Sequence, residues 1–239
     1  MNETIVPITN AAGERFDGFL FRPADGPAPA LLLIPEMYGV NGYLREIAAR
    51  YVAHGFLVLA LDVLWRIEHH LVLDYDGPDN AKAHEYHDAF DFDAGVRDMR
   101  AAIDVLRADS QSNGRVGAVG FCLGGTMAYL AAARCGADAA VAYYGSRIVE
   151  FLAEAPRIGV PLALQLGAAD KTMPPDVQTR IATATAANAG IELHVHDGAA
   201  HAFANHLRPD RYHAAATAAA EAHTFALFDR ALRTTEIPR

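Results

Sequence analysis

The chain has 239 residues, 52% of them hydrophobic, and a formal charge of −9. That length suits one large α/β domain, and the acidic balance argues against nucleic acid or an anionic membrane as a partner. Two cysteines, Cys122 and Cys135, form no disulfide framework and have no metal-ligand spacing.

In chain order, the opening MNETIVPITN has neither the basic nor the apolar region of a secretory signal. No apolar run approaches the length of a bilayer span, so a reducing cytoplasm is the expected setting. Thr4–Thr9 and Phe16–Phe21 read as strands joined by a turn at Ala12-Gly13. Ala30–Ile34 and Phe56–Leu61 are continuous apolar runs, as expected of strands buried on both faces. Between them Leu44, Ile47, Ala48, Tyr51 and Val52 repeat at helical spacing up to Gly55. From Val63 to His87 the pattern fails, and a long loop over one sheet edge is expected. Val96, Met99, Ile103 and Leu106 mark the next helix; Arg115–Val119 is a strand, and Thr126–Arg134 a helix. Ala139–Tyr144 and Val160–Leu166 are strands, Pro174-Pro175 opens a helix, and Ile191–Val195 alternates as a half-buried strand does. An Ala-rich helix from about Tyr212 to Leu232 closes the chain. The alternation implies an α/β fold, with a mainly parallel central sheet and helices on both faces, in a single domain spanning 1–239.

The strongest chemical signal is Gly120-Phe121-Cys122-Leu123-Gly124, the nucleophile-elbow pattern with cysteine in the serine position. A strand turning sharply into a helix presents the middle side chain upward, over a helix N-terminus that favours the nucleophilic thiolate. The amide of Leu123 is then placed to serve an oxyanion. Asp170 follows the run Val160–Leu166, and His201 follows Ile191–Val195. Cys122, Asp170 and His201 thus have the chain order nucleophile, acid, histidine, each just beyond the carboxyl end of a strand, where open α/β sheets bind ligands. Singly, the aspartate reads as a turn residue, the histidine as a surface residue and the cysteine as a buried small side chain. The conjunction points to acyl transfer: attack by Cys122, proton transfer by His201, and orientation of the imidazole by Asp170. Glu36 ends the apolar run Leu31–Pro35 and belongs on the same edge. Two readings stand for it, a partner that controls the Cys122 thiol, or a cap or salt bridge for the helix after Gly42. Met37 lies in the loop that supplies a second oxyanion amide.

At these residues the sequence resembles the dienelactone hydrolase family. The matching stretches are Ile34 to Asn41, Ser112 to Gly117, Gly120 to Gly125, Ala142 to Gly145, Gly167 to Asp170, and Gly198 to Phe203. The resemblance implies an α/β-hydrolase fold, a cofactor-free carboxymethylenebutenolidase-like esterase acting on a small ester or lactone, and Cys122, Asp170 and His201 as its triad. It also implies that Glu36 contacts the resting thiol until substrate turns the cysteine toward the histidine. Family members bind the carboxylate of dienelactone through two arginines, and the nearest positions here hold Asn80 and Asn205. Lys82 or Arg66, beside Trp65, is the substitute expected from the sequence. Trp65, Tyr143, Tyr144 and Phe203 are read as pocket-lining aromatics, Tyr143 and Tyr144 equally as core or strand-end residues, and Asn205 as part of the pocket rim. Two rivals are a general carboxylesterase or thioesterase with the same triad, and a catalytically silent binding module. A redox sensor at Cys122 lacks a resolving partner, since Cys135 lies about 18 Å along a helix.

His69, His70, His84 and His87 crowd the irregular segment. No third ligand of defined spacing accompanies them, so solvated or substrate-lining histidines are expected and no metal site.

Overall fold

The apolar runs of the sequence occupy the middle of one eight-stranded sheet. A computed structural model describes residues 3–233. The strands are β1 (Glu3–Thr9), β2 (Arg15–Phe21), β3 (Ala28–Ile34), β4 (Leu57–Leu61), β5 (Ser112–Phe121), β6 (Ala139–Tyr143), β7 (Leu162–Gly167) and β8 (Ile191–His196). Their spatial order is β1-β2-β4-β3-β5-β6-β7-β8. β1 and β2 form an antiparallel hairpin that joins β4 antiparallel, and the remaining pairs are parallel. The central strands are apolar because both faces are covered: Leu31, Leu32, Leu33 and Ile34 have no exposed surface.

The helices follow capping chemistry. Asn41 accepts the amide of Leu44 at 3.2 Å and starts α1 (Gly42–Ala53). Asp91 accepts the amide of Ala94 at 2.9 Å and starts α3 (Phe92–Ala108), whose apolar stripe packs on the sheet. The expected loop 63–87 needs correction, because Gly77–Asp88 is helical (α2). Pro78 is accommodated in its first turn, where no amide donor is needed. Ala83 is the one buried residue of that helix, which therefore leaves no apolar stripe for a sequence pattern to detect. The helix expected at Thr126–Arg134 begins earlier, at Leu123 (α4, Leu123–Leu130), and widens into a π-turn through Cys135. α5 (Pro175–Thr185) and α6 (Ala214–Leu232) complete the layers. Among the described residues, no helix is long and apolar enough to cross a membrane.

Topology fixes where a ligand binds. From β3 the chain passes to β4 on one side, then returns over β3 to β5 and continues the other way. The carboxyl ends of β3 and β5 therefore flank the switch point, where a crevice opens. Ile34 pairs with Gly120, so Glu36 and Cys122 emerge side by side, each two residues further on. The contact between these strand ends is closed by glycine: a Cβ on Gly124 would lie 2.2 Å from the carbonyl oxygen of Ile34.

Candidate active site

Cys122 sits between β5 and α4 with φ of 55° and ψ of −111°, the left-handed backbone expected of an elbow. A Cβ at Gly120 would meet the carbonyl oxygen of Gly124 at 1.9 Å, so the turn can be this tight only with glycine there. The amide of Gly124 donates to the Pro35 carbonyl, and those of Gly125 and Thr126 to the Cys122 carbonyl. The amide of Leu123, at the first helical position, lies next to the sulfur-bearing residue.

Asp170 lies three residues beyond β7, and His201 five residues beyond β8. Nδ1 of His201 is 2.8 Å from Oδ2 of Asp170. The other carboxylate oxygen of Asp170 accepts from both the amide of Thr172 at 2.8 Å and its hydroxyl at 2.7 Å. Burial alone would raise the pKa of Asp170. The hydrogen bond and charge of His201, with the Thr172 bonds, outweigh it and hold the carboxyl below its ordinary value. Burial likewise opposes protonation of His201. The charge and hydrogen bond of Cys122, together with Asp170, override it and push the imidazole up to about 10. The edge of the Tyr144 ring packs against the imidazole, centroids 5.2 Å apart.

Glu36 is buried. Its carboxylate accepts from Nδ2 of Asn205 at 3.1 Å and from the Tyr144 hydroxyl at 3.5 Å. Burial pushes its pKa up, while His201, Arg208, Asn205 and Tyr144 pull it partly back. Asn205 is fully buried and also donates to the Tyr75 hydroxyl at 2.8 Å. It is thus a scaffold for Glu36 rather than a residue of the rim.

Glu36, Met37, Cys122, Thr172 and His201 all line one cavity of about 430 Å³, ample for a small molecule. Its outer wall is Tyr38, Ser146, Arg147, Arg208 and Arg211, with His84, His87 and Asp88 from α2. Placing His84 and His87 on the cavity agrees with the substrate-lining alternative for them.

Four expected substrate contacts lie elsewhere. Trp65 stacks on Phe16 with centroids 5.4 Å apart, and its indole N–H donates to Asp98 at 3.0 Å. Arg66 lies over the Trp65 ring and pairs with both Asp98 and Glu14. Two carboxylates thus hold this cation away from the cavity. Lys82 is exposed on α2 and pairs with Asp79 at 3.4 Å. Tyr143 ends β6 facing the core, its hydroxyl 2.6 Å from that of Thr224; Tyr144, just past the strand with a left-handed φ of 39°, turns toward Glu36 and His201 instead. Phe203 is a fifth departure, a fully buried residue wedged against Tyr144 and His196.

Arg208, Arg147 and Arg211 are the cations that the sequence reading missed. Arg147 is paired with Glu150 at 2.7 Å and Arg211 with Asp210 at 3.5 Å. Arg208 has no carboxylate partner among the described residues and lies over the rings of Tyr38 and Tyr75, 5.7 and 5.2 Å from their centroids. It reaches the cavity because its amide closes a turn onto the Asn205 carbonyl at 3.0 Å. An arginine seven residues after His201 was the available signal. Cys135 is buried with a thiol pushed up to about 12 by desolvation, consistent with a passive structural role.

The chain resembles known proteins over most of its length. The model of the dienelactone hydrolase family matches residues 16–232. The chain is 34% identical over 200 residues to a carboxymethylenebutenolidase of Pseudomonas putida, covering 83% of this chain and 85% of that one. It is 33% identical over 223 residues to carboxymethylenebutenolidase 1 of Cupriavidus pinatubonensis, covering 93% and 94%. In fold it resembles a dienelactone hydrolase-like promiscuous phosphotriesterase from metagenomic libraries, with a TM-score of 0.80 at 23% identity over 97% and 100% of the two chains. An esterase of Pyrococcus furiosus superposes with a TM-score of 0.67 at 17% identity over 97% and 93%. The sheet order, the strand-end crevice and these matches together make the chain a dienelactone hydrolase-like hydrolase: it belongs to the dienelactone hydrolase family.

Proposed function

We propose that this protein hydrolyses a small ester or lactone bearing a carboxylate, without a cofactor, through a thioester on Cys122. The observation that carries the reading is the 2.8 Å Asp170–His201 contact on a cavity that Cys122 also lines. The Cys122 thiolate attacks the acyl carbon, and the oxyanion is held by the amides of Leu123 and Met37. As the tetrahedral intermediate collapses, the acyl C–O bond breaks and the imidazolium of His201 gives its proton to the leaving oxygen. Water then loses a proton to His201 and attacks the thioester; the acid product leaves and the thiolate–imidazolium pair is restored. With a lactone, both halves leave as one hydroxy acid or its keto tautomer. Asp170 keeps the imidazole in the productive tautomer and stabilises its charge. Glu36, fixed by Tyr144 and Asn205, holds the thiol between turnovers, and substrate entry passes the thiol proton to His201 to form the attacking thiolate–imidazolium pair. A reducing cytoplasm suits such a nucleophile.

Arg208 supplies the carboxylate subsite in place of the expected Lys82 or Arg66. Its guanidinium is the cavity cation without a carboxylate partner among the described residues. A charged hydrogen-bonded contact contributes roughly 1.5–3 kcal/mol, or about 10- to 150-fold. Arg208→Ala should therefore raise KM for a carboxylated dienelactone by about 10- to 100-fold and leave hydrolysis of a neutral aryl ester nearly unchanged. Equal effects on both substrates would reject the subsite and favour a general carboxylesterase.

A further inference from the structure

His69 and His70 follow each other in the chain, and adjacent side chains ordinarily diverge. Here they converge because His70 has φ of 60°, the left-handed region that a non-glycine residue enters at a cost. Asp62, buried just beyond the end of β4, holds that turn by accepting the backbone N–H of His70 at 2.7 Å. The turn folds both imidazoles back toward β2. There Oδ2 of Asp17 lies 2.8 Å from Nε2 of His70. The rings of His69 and His70 meet edge to face, centroids 6.2 Å apart and planes at 82°. Trp65 supports His69 and Phe19 supports His70, at 5.8 and 5.1 Å between centroids. One nitrogen from each histidine and one carboxylate oxygen of Asp17 all lie within 4.8 Å of one another. None of the three residues lines the catalytic cavity.

We propose that Asp17, His69 and His70 form a binding site for a divalent transition-metal ion of the zinc type, with solvent completing the coordination. Zn–N and Zn–O bonds of about 2.0–2.1 Å in a tetrahedron place ligand atoms roughly 3.4 Å apart. The observed spacings, 2.8 Å for one pair and at most 4.8 Å for the others, reach that value by small side-chain rotations. Two imidazoles and one carboxylate select zinc, nickel or copper over magnesium and calcium, which take oxygen sets. Both histidines are exposed, so an ion enters directly from solvent. The bound ion would tie the segment after β4 to β2. No sequence spacing reveals this set, because its third ligand comes from a strand some fifty residues upstream.

The test is calorimetric titration of untagged, chelator-treated full-length protein with zinc chloride, together with melting curves with and without zinc. The proteins are the wild type, Cys122→Ala, His69→Ala and Asp17→Asn; the Cys122 variant removes the thiol of the reactive centre as a competing ligand. The expected result is one zinc per chain in wild type and Cys122→Ala, with a raised melting temperature. In His69→Ala and Asp17→Asn affinity falls more than about tenfold, since even outer partners of metal ligands cost 10- to 100-fold, and the thermal shift disappears. His69 is exposed, so its variant should melt like wild type without metal and keep full esterase activity. Absence of binding in Cys122→Ala, or undiminished binding in His69→Ala and Asp17→Asn, would overturn the proposal and leave Asp17–His70 as a plain ion pair.

Discussion

Cys122→Ala is expected to lower kcat/KM for the carboxylated lactone by at least about 10³-fold, the scale on which loss of a nucleophile acts. The backbone of residue 122 is fixed by its neighbours rather than by its own side chain. Its amide donates to the Tyr143 carbonyl at 3.0 Å, and its carbonyl accepts from Gly125 and Thr126. Alanine can therefore take the position with the fold retained, and an unchanged melting temperature checks that the loss is chemical. Cys122→Ser should also lose most activity. A serine hydroxyl is not ionised near neutrality, whereas the attacking species proposed here is a thiolate already paired with imidazolium. A silent binding module predicts no turnover in any of the three proteins. Steady-state kinetics with purified protein separates these outcomes.

Asp170→Asn is expected to cost about 10³- to 10⁴-fold in kcat, the magnitude seen when an orienting carboxylate of a triad is neutralised. The substitution keeps the shape, and the Thr172 contacts can still be made, but it removes the negative charge 2.8 Å from Nδ1 of His201. The same change should move the pH profile. Acylation needs protonated His201 to serve the leaving oxygen, so activity falls as pH rises through the value near 10 at which the imidazole deprotonates. Asp170 is one of the groups holding that value up. Its neutralisation lowers the alkaline limb toward the ordinary histidine range. A kcat/KM profile of the variant with the alkaline limb unmoved would argue that Asp170 does not act through His201.

The chain's own pattern reveals the centre of this molecule far better than its rim. Leu31 to Ile34 and Leu57 to Leu61 are apolar on both faces because the sheet is covered on both sides, and such runs are readable without partners. The elbow is readable because its tight turn excludes side chains at Gly120 and Gly124. Asp170 and His201 are readable as chemistry-bearing residues just past strand ends. α2 was not readable, since a helix with one buried residue imposes no period. Trp65 and Arg66 were misplaced because their partners, Asp98 and Glu14, are distant in sequence. Tyr143 and Tyr144 part because β6 ends at Tyr143 and Tyr144 takes a left-handed φ of 39°, a break that no strand period reveals. Arg208 depends on a turn at Asn205, and an aligned position four residues after the histidine could not reveal it.

The cavity wall gives the two asparagines a structural role. Asn205 bonds Glu36 and Tyr75, Asn80 accepts the Tyr38 hydroxyl at 2.7 Å, and Arg208 lies over those two tyrosine rings. The two asparagines thus order the aromatic floor on which the guanidinium rests. Cation–π contact restricts Arg208 without neutralising it, which leaves its donors for a ligand.

The most direct measurement is acid quench of a reaction with substrate during turnover, followed by peptide mass spectrometry. The account predicts that the peptide containing Cys122 gains the mass of the acyl group as a hydroxylamine-labile thioester, and that Cys122→Ala shows no adduct. Acyl mass on another residue, or full turnover by Cys122→Ala with no adduct anywhere, would contradict it.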